Sequence, residues 1–447
     1  MVGAVLLSGV LGAGLLAGCA SSDSGAGRST AGSAAANSSA PDSSVPGSPS
    51  GAALPPAPSP AERGQVLART AFTPQAGGTL ARAVADGATI TRIVYRSTAG
   101  YAPGDPSGSF GTAVSGIVAV PPGSAPPGGW PIVTYGHGTT GTAPDCGPSV
   151  HPDLLGYDGQ VASLLDAGYV VAASDYQGLG RPDALLPRGI GGSADATQPH
   201  PYINAATVAY NMIDMVRAAR VVAPAAGDRW AALGVSQGGQ AAWAAADRAA
   251  DYGSGLRFVG AAALAPAADI SPIAAGYDAR PYVAPGYTLF QLAFIPVLVD
   301  GLRAVYPDLR VGDYVRGGLA ANAAKLTTCG PNSFADKAAA LSAFRPGDAA
   351  ITSPAALRTL HDMLAAQALP TRRAGGPLFV AYGDADEIIT SAWTTAAVRR
   401  ACAQGDVIDS ALVRGRGHSN LGQGPAAVGW IGDRFAGRPA RSTCAVA

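Results

Sequence analysis

The chain has little charge and no excess of either sign. Of its 447 residues, 13% are charged, and the formal net charge is zero. A protein that binds nucleic acid neutralises phosphates with a surplus of Lys and Arg, so this balance argues against a polyanionic partner. Hydrophobic residues make up 48% of the chain, which is enough to bury a large core.

Long hydrophobic runs are also lacking. Residues 1–18 carry no charge, but they are too short and too rich in glycine for a membrane span. Residues 287–306 form a second apolar stretch, yet Pro296 interrupts it and its polar residues make it unsuited to crossing a bilayer. Neither stretch therefore predicts a transmembrane helix.

The spacing that metal sites require is missing too. The chain has five cysteines but no C-x-x-C pair, and no histidine is close in sequence to Cys329, Cys402 or Cys444. Structural zinc sites are built from such pairs, so we expect no metal site. We expect no organic cofactor either.

The first 60 residues predict export rather than a fold. Residues 1–19 are typical of a signal peptide, and their last four, Leu-Ala-Gly-Cys19, are similar to the lipobox of bacterial lipoproteins, in which the cysteine carries a lipid. One departure is the lack of Lys or Arg ahead of the apolar run, and ordinary secretion with cleavage nearby is the alternative. Residues 20–60 are mainly Ser, Ala, Gly and Pro, which predicts a disordered tether. We expect a secreted or cell-envelope lipoprotein, anchored to the membrane through Cys19.

The other four cysteines form an even set in a chain expected to reach an oxidising compartment. Disulfides are the natural inference, and four cysteines allow three pairings. We favour Cys402 with Cys444, which joins the last two helical regions, and Cys146 with Cys329. The second bond would attach an insertion, described next, to the core.

From residue 61 onward, apolar stretches of strand length alternate with stretches of helical spacing. Residues 61–71 predict a lead-in helix. The rhythm breaks between residues 269 and 373, which we interpret as a lid or cap insertion on a core formed by residues 61–268 and 374–447. Strands are predicted at residues 89–97, 112–120, 130–135, 169–174, 230–234, 258–265, 377–383 and 407–413, and helices at residues 157–167, 204–222, 392–401 and 426–435.

One stretch combines a strand, a sharp turn and a helix. Gly234-Val-Ser236-Gln-Gly238 follows an apolar strand and leads into an alanine-rich helix, and no second Gly-x-Ser-x-Gly occurs in the chain. On such a turn the serine hydroxyl stands above the sheet edge, close to the amide donors of a helix N-terminus. We interpret Ser236 as a nucleophile; the alternative is that a chain with 60 glycines contains the pattern by chance.

Two later residues suit a serine nucleophile. Asp386 comes directly after the predicted strand 377–383, and His418 lies on a glycine-flanked loop after the predicted strand 407–413. A serine needs an imidazole to take its proton, and the imidazole needs a carboxylate to fix its tautomer. The order Ser, Asp, His matches the α/β-hydrolase arrangement.

Each of these two choices has rivals in the chain. Asp384 and Glu387 share the loop with Asp386 and are alternatives for the carboxylate. The other histidines are placed less well for a base. His151 and His200 precede the nucleophile turn in proline-containing loops, and His361 lies inside the insertion.

A glycine-rich loop, residues 136–141, follows the predicted strand 130–135. Ligands bind at the carboxyl ends of strands in open α/β sheets, so backbone amides of this loop can complete an oxyanion hole. One donor would be the N–H of Gln237, and the other would come from Gly138 or Thr139. An ordinary flexible turn is the alternative reading of this loop.

These motifs together resemble the secretory lipase family typified by fungal lipase A. The resemblance covers residues 62–447 and implies hydrolysis of triacylglycerols or other carboxylic esters, a lid formed by the insertion and the two disulfides favoured above. In that family the oxyanion loop can carry an acidic residue where this chain has Gly138-Thr139, which leaves the second donor open. The motifs are Tyr135-Gly-His-Gly138, Asp145-Cys-Gly-Pro-Ser149, Gly234-Val-Ser-Gln-Gly-Gly239, Gly383-Asp-Ala-Asp386 and Gly417-His418.

The sequence therefore predicts an α/β protein with the α/β-hydrolase fold, a mostly parallel central sheet and a roughly hundred-residue insertion after the strand that follows the nucleophile turn. The predicted function is that of an exported serine lipase or esterase with a lipid or ester substrate. A short-chain esterase, amidase or peptidase is an alternative because the same three residues serve any acyl transfer. A lipoprotein that binds lipid without catalysis is an alternative of another class.

Overall fold

The computed structural model describes residues 53–186, 198–279, 282–329 and 333–446. The predicted signal peptide, Cys19 and the tether up to residue 52 lie outside these ranges. Over the ranges that are described, no helix combines the length and the apolar character needed to cross a membrane.

Nine strands in the described ranges form one mixed sheet in the order β1-β2-β3-β5-β4-β6-β7-β8-β9. The first three are joined by antiparallel pairing, and β3 is antiparallel to β5. From β5 across to β9 every pairing is parallel, as the sequence predicts. The strands are β1 (Val66–Ala71), β2 (Thr89–Ala99), β3 (Phe110–Val120), β4 (Trp130–Gly136), β5 (Val170–Ser174), β6 (Ala226–Val235), β7 (Arg257–Leu264), β8 (Leu378–Gly383) and β9 (Ile408–Val413).

Helices cover both faces of the sheet because successive side chains of a strand point to opposite sides. On β6, Trp230 and Ala232 belong to one apolar cluster, whereas Ala231 and Leu233 belong to another. The helices are α1 (Thr79–Ala85), α2 (Asp158–Asp166), α3 (Ala205–Val222), α4 (Gln237–Tyr252), α5 (Leu289–Val305), α6 (Gly317–Ala321), α7 (Ala323–Thr327), α8 (Ser333–Ser342), α9 (Pro354–Ala365), α10 (Ser391–Ala403) and α11 (Gly424–Phe435).

The predicted lead-in helix over residues 61–71 is wrong. Residues 66–71 form β1, which pairs with β2 from Val66 opposite Tyr95 to Ala71 opposite Thr91. Side chains of β1 are half-buried or exposed. Its sequence therefore shows no apolar spacing typical of a strand or of a helix. Hydrogen bonds to β2 decide its conformation, and such tertiary pairing overrides a weak local preference.

Helices α5 to α9 lie between β7 and β8, in the segment that breaks the strand–helix rhythm of the sequence. This segment, residues 265–377, is called the insertion below. Most of a third apolar cluster lies in it, with Leu298 of α5, Leu319, Leu357 and Leu360 among its members. Tyr202 and Ile389 of the core belong to the same cluster. Most of the apolar stretch at residues 287–306 becomes one helix, α5, with Pro296 inside it.

The part of the chain that the structure describes contains two disulfides, and they are the two pairings favoured from the sequence. Cys146, in the segment that follows β4, is bonded to Cys329 of the insertion. Cys402, near the end of α10, is bonded to Cys444 close to the C-terminus. Cys146 and Cys329 are buried.

Candidate active site

Ser236 occupies the turn between β6 and α4, and its backbone has the unusual angles φ 61° and ψ −119°. A positive φ is sterically costly for a residue with a side chain, so close packing around the turn must hold it. The flanking glycines permit that packing. A Cβ on Gly238 would lie 1.9 Å from the carbonyl oxygen of Gly136 on the neighbouring strand β4.

The structure brings Ser236, His418 and Asp386 into one hydrogen-bonded series. His418 Nε2 lies 2.9 Å from Ser236 Oγ, and His418 Nδ1 lies 2.8 Å from Asp386 Oδ2. A carboxylate only accepts, so Nδ1–H donates to Asp386 and Nε2 is left to accept the serine proton. Only 9% of the imidazole and 1% of the carboxylate are exposed, which keeps water from competing for these bonds.

The three acidic residues of the loop after β8 have different hydrogen-bond partners. Asp384 Oδ1 accepts from the backbone N–H of Gly415 at 2.6 Å, and Glu387 Oε2 accepts from the backbone N–H of His418 at 3.1 Å. Asp386 alone of the three contacts the imidazole ring of His418. Its Oδ1 accepts from the backbone N–H of Ile388 at 3.0 Å and of Ile389 at 2.8 Å.

The rival histidines make other contacts. His151 Nε2 lies 2.8 Å from the carbonyl of Asp145, and His361 lies beside the exposed side chain of Asp362. His200 is buried next to the nucleophile turn, where Nδ1–H donates to the carbonyl of Gln177 and Nε2 accepts from the side chain of Gln237. Burial lowers the pKa of His200 to about 4. It is therefore neutral at physiological pH and suited to support rather than to proton transfer.

The glycine-rich loop lies against the nucleophile turn. A Cβ on Gly138 would lie 3.7 Å from Cβ of Ser236, and Thr139 Oγ1 is hydrogen-bonded to the hydroxyl of Tyr202 at 2.7 Å. Gln237 begins α4, and the first amides of a helix have no acceptor within it. Candidate oxyanion donors from both predicted sources thus lie next to Ser236.

His137 supports this loop instead of acting at its surface. The Nδ1 atom of His137 is 2.7 Å from the carbonyl of Gly138, and its ring stacks on Tyr176 with a centroid distance of 4.4 Å. The Tyr176 hydroxyl donates to the backbone carbonyl of His137 at 3.0 Å. Burial lowers the pKa of His137, so the ring is neutral.

An apolar pocket opens beside Ser236. Besides Ser236, five separate parts of the chain line it, namely the residues just before α3, the segment after β7, helix α5 of the insertion, the loop after β8 and the start of α10. Sequence reasoning missed most of these residues, although the pair Ile388-Ile389 directly after Asp386 is an apolar signal in a loop. The lining residues are Tyr202, Ile203, Ser236, Ala267, Ile270, Ile273, Gln291, Phe294, Ile295, Leu298, Ile388, Ile389 and Trp393.

A hydroxyl activated by an imidazole, with amide donors on one side and an apolar pocket on the other, is an arrangement able to transfer an acyl group. Among the described residues, one cluster has metal-ligand spacing, formed by Asp145 with Cys146 and Cys329. Both cysteines are in a disulfide, and a sulfur so bonded is not the thiolate that metals bind.

Comparison with known proteins places these features in context. Residues 156–443 match the family model described as secretory lipase. Comparison with curated proteins finds no match. Candida antarctica lipase A in its closed state has a similar structure, with a TM-score of 0.63, 19% identity, and coverage of 86% of this chain and 85% of that one.

A rice cell wall degrading esterase, LipA from Xanthomonas oryzae, is similar as well, with a TM-score of 0.61, 17% identity, and coverage of 84% of this chain and all of that one. At such identities the likeness concerns the fold. Together with the mostly parallel sheet, it confirms the predicted fold class, an α/β-hydrolase fold with an insertion after the strand that follows the nucleophile turn.

Proposed function

Because this chain belongs to the secretory lipase family and is a hydrolase of ester bonds, we propose that Ser236 is its nucleophile, His418 its acid–base catalyst and Asp386 the carboxylate that orients the imidazole. The observation that carries the proposal is the hydrogen-bonded series of these three side chains at the rim of an apolar pocket. Separate parts of the core contribute them, and the chemistry needs all three in contact.

The reaction runs in two halves. Ser236 Oγ attacks the ester carbonyl carbon while its proton passes to His418 Nε2, and the carbonyl oxygen becomes an oxyanion held by the N–H of Gln237 and a donor of the loop at Gly138 and Thr139. The tetrahedral intermediate collapses, the C–O bond to the alcohol breaks, and the departing oxygen takes the proton from His418. Ser236 is left as an acyl ester.

Water completes the cycle. His418 removes a proton from a water molecule that attacks the acyl carbon, and the second tetrahedral intermediate releases the fatty acid as Ser236 Oγ recovers the proton. Each step uses only side chains and amides of this chain. A metal ion or an organic cofactor has no role in the sequence of steps.

The proposed substrates are carboxylic esters with an apolar acyl group, triacylglycerols among them. The pocket beside Ser236 is lined mainly by aliphatic and aromatic side chains, which favour the burial of an acyl chain over that of a peptide backbone with its polar groups. Hydrolysis of esters from acetate to oleate, and of an amide analogue, tests this choice. Turnover limited to acetate would favour a short-chain esterase, and turnover of the amide would favour an amidase.

Export and anchoring belong to the same proposal. Two disulfides suit an oxidising compartment, and the lipobox-like residues suit a lipid on Cys19. Metabolic labelling with a fatty acid analogue, followed by fractionation of the cell envelope, tests the anchor. Label that persists in Cys19→Ser would contradict it.

The nucleophile is tested by Ser236→Ala, with Ser163→Ala as the control. Ser163 is exposed on α2, where alanine is well tolerated. We expect Ser236→Ala to abolish turnover of p-nitrophenyl esters and labelling by a fluorophosphonate probe, with an unchanged thermal midpoint, and Ser163→Ala to retain both. Wild-type protein that resists the probe and turns over no ester would support a lipid-binding protein without catalysis.

A further inference from the structure

The insertion is bonded to the loop that carries Asp386. Thr288 precedes α5, and its hydroxyl donates to the carbonyl of Glu387 at 2.9 Å. One turn later, the side-chain amide of Gln291 donates to the carbonyl of Ile388 at 3.1 Å. These two contacts join residues separated by 99 and 97 positions in the sequence, so they fix one part of the fold against another.

Two peptide planes of this loop are therefore held at both ends. The plane that joins Glu387 to Ile388 accepts from Thr288 at its carbonyl and donates to Asp386 Oδ1 at its N–H. The next plane accepts from Gln291 and donates to the same oxygen through the N–H of Ile389. A peptide unit is rigid, so a carbonyl that turns carries its N–H with it.

Gln291 is a polar residue in the wall of an apolar pocket. It is only 6% exposed, and it lines the pocket with Ile388 and Ile389. A buried amide in such surroundings is costly unless it is hydrogen-bonded. Its Oε1 accepts from the backbone N–H of Thr288 at 3.0 Å while its Nε2 holds Ile388, so both ends of the amide are used.

We propose that Gln291, assisted by Thr288, is a positioning residue through which the insertion sets the orientation of Asp386. The proposal rests on the proposed function of Asp386. Without these bonds the two carbonyls turn toward water, the N–H groups leave Asp386 Oδ1, and the carboxylate no longer faces His418. The insertion then contributes to proton transfer as well as to the pocket wall.

The main test compares Gln291→Met with Gln367→Met. Gln367 is a matched control, because it is also a buried glutamine of the insertion, 8% exposed, and its Oε1 accepts from the backbone N–H of Ala205 in the core at 3.1 Å. Both changes remove one insertion–core hydrogen bond and keep the length of the side chain. Neither the hydrogen bond of Gln367 nor its surroundings include the Asp386 loop.

We expect Gln291→Met to lower kcat roughly 10-fold for p-nitrophenyl acetate and p-nitrophenyl octanoate alike, with little change in KM, because a small misplacement of a catalytic group costs rate rather than affinity. The acidic limb of the pH profile of kcat/KM should move to lower pH, since the imidazolium loses part of its stabilisation by the carboxylate. Gln367→Met should lower the thermal midpoint but keep kcat within about 2-fold of wild type.

Thr288 offers a second variant at an exposed position, where misfolding is a small concern. Thr288→Val removes the hydroxyl and should lower kcat in the same direction by a smaller factor, whereas Thr288→Ser keeps the hydroxyl and should restore the wild-type rate. Rescue by serine would show that the hydroxyl matters, through its bond to Glu387 and the bond it accepts from the N–H of Gln291, and not the shape of the side chain.

Three outcomes would overturn the proposal. A loss in Gln291→Met confined to the octanoate ester would mean that the residue only shapes the pocket. An equal loss of kcat in Gln367→Met would mean that loosening of the insertion is enough, and an unshifted pH profile would separate Gln291 from Asp386. Failure of the proposed function looks different, because then Ser236→Ala would retain activity or the wild-type protein would turn over no ester, whatever happens at Gln291.

Discussion

The sheet and the insertion are held in place in different ways. Almost every residue of β3 and β8 is buried, and the strands are fixed by continuous ladders and by apolar clusters on both faces. The insertion packs through one apolar cluster that it shares with Tyr202, Ile203 and Ile389 of the core. It is also joined to the core by single links, namely the Cys146–Cys329 disulfide, the Arg400–Asp269 ion pair at 2.7 Å and the bond from Gln291. The proposed reacting groups belong to the first region, and much of the pocket wall belongs to the second.

The largest effect is expected where the core supplies the chemistry. Asp386→Asn should lower kcat by about 10⁴-fold, because an amide in place of the carboxylate favours the wrong imidazole tautomer. Asp384→Asn, which alters a carboxylate two residues away that bonds the N–H of Gly415, should change kcat less than about 10-fold. Steady-state kinetics on one ester checks both. Equal losses of kcat in the two variants would mean that activity depends on the conformation of the whole loop and not on the Asp386 carboxylate in particular.

Two glycines test how tightly the nucleophile turn is packed. Gly238→Ala places a Cβ 1.9 Å from a backbone oxygen and should cost about 3 kcal/mol or more of the free energy of unfolding. Gly312→Ala, in the insertion, meets nothing within 4 Å and should change stability by less than about 1 kcal/mol. Urea denaturation followed by fluorescence measures both. A tolerated Gly238→Ala would contradict the packing described at the nucleophile turn.

The two disulfides should separate stability from activity. They close loops of 183 and 42 residues, and loss of either should cost about 2–5 kcal/mol of stability. Replacing Cys146 and Cys329 by serine should also lower kcat, because that bond lies beside the hydrogen bond from the N–H of Thr142 to the carbonyl of Thr327, which ties the loop after β4 to the insertion. Replacing Cys402 and Cys444 should leave kcat unchanged. Similar kinetics for the two double variants would remove this distinction.

The last effect concerns a buried carboxyl where the insertion returns to the core, and it should appear in stability rather than in activity. Asp247 on α4 accepts from the N–H of Thr371 at 2.7 Å, and burial raises its pKa from 3.8 to about 7. The folded protein therefore keeps a proton that the unfolded chain releases, so the free energy of unfolding should fall as pH rises from about 4 to about 7 and level off above.

Asp247→Asn should remove this part of the pH dependence, about 4 kcal/mol between pH 4 and pH 8. Asp251→Asn, an exposed carboxylate on the same helix that pairs with Arg372, is the control and should leave the slope in place. Denaturation curves across this pH range check the expectation. A slope that survives in Asp247→Asn would place the titrating group elsewhere.

The contrast between the two regions also explains what could be predicted from the sequence. Buried parallel strands are continuous apolar runs, so β4, β6 and β8 are visible in the sequence, and Ser236, Asp386 and His418 could each be placed after a strand. Ser236 follows β6, Asp386 follows β8 and His418 follows β9. That these strands are close together, in the order β6-β7-β8-β9, is known only from the sheet. The sequence predicts the order of the three residues, and the fold supplies the contact.

Other features depend on contacts that no local pattern records. The edge strand β1 has no buried face and was predicted as a helix. Asp384, Asp386 and Glu387 lie within four positions of one another, so their directions could not be read from spacing. The link from Gln291 to Ile388 spans 97 positions, and its existence depends on how the insertion folds back on the core.

Within the insertion, residues 269–368 form a segment with adjoining ends, since the N–H of Leu369 donates to the carbonyl of Ala268 at 2.7 Å. A segment with adjoining ends can be lengthened, shortened or exchanged between homologous enzymes without a change in the strand order. Selection could thus diversify the preferred acyl groups while the hydrolytic chemistry is inherited intact. For protein engineers the same geometry defines a graft site, and a transplanted segment would have to reproduce the bonds of Thr288 and Gln291 to give an active chimera.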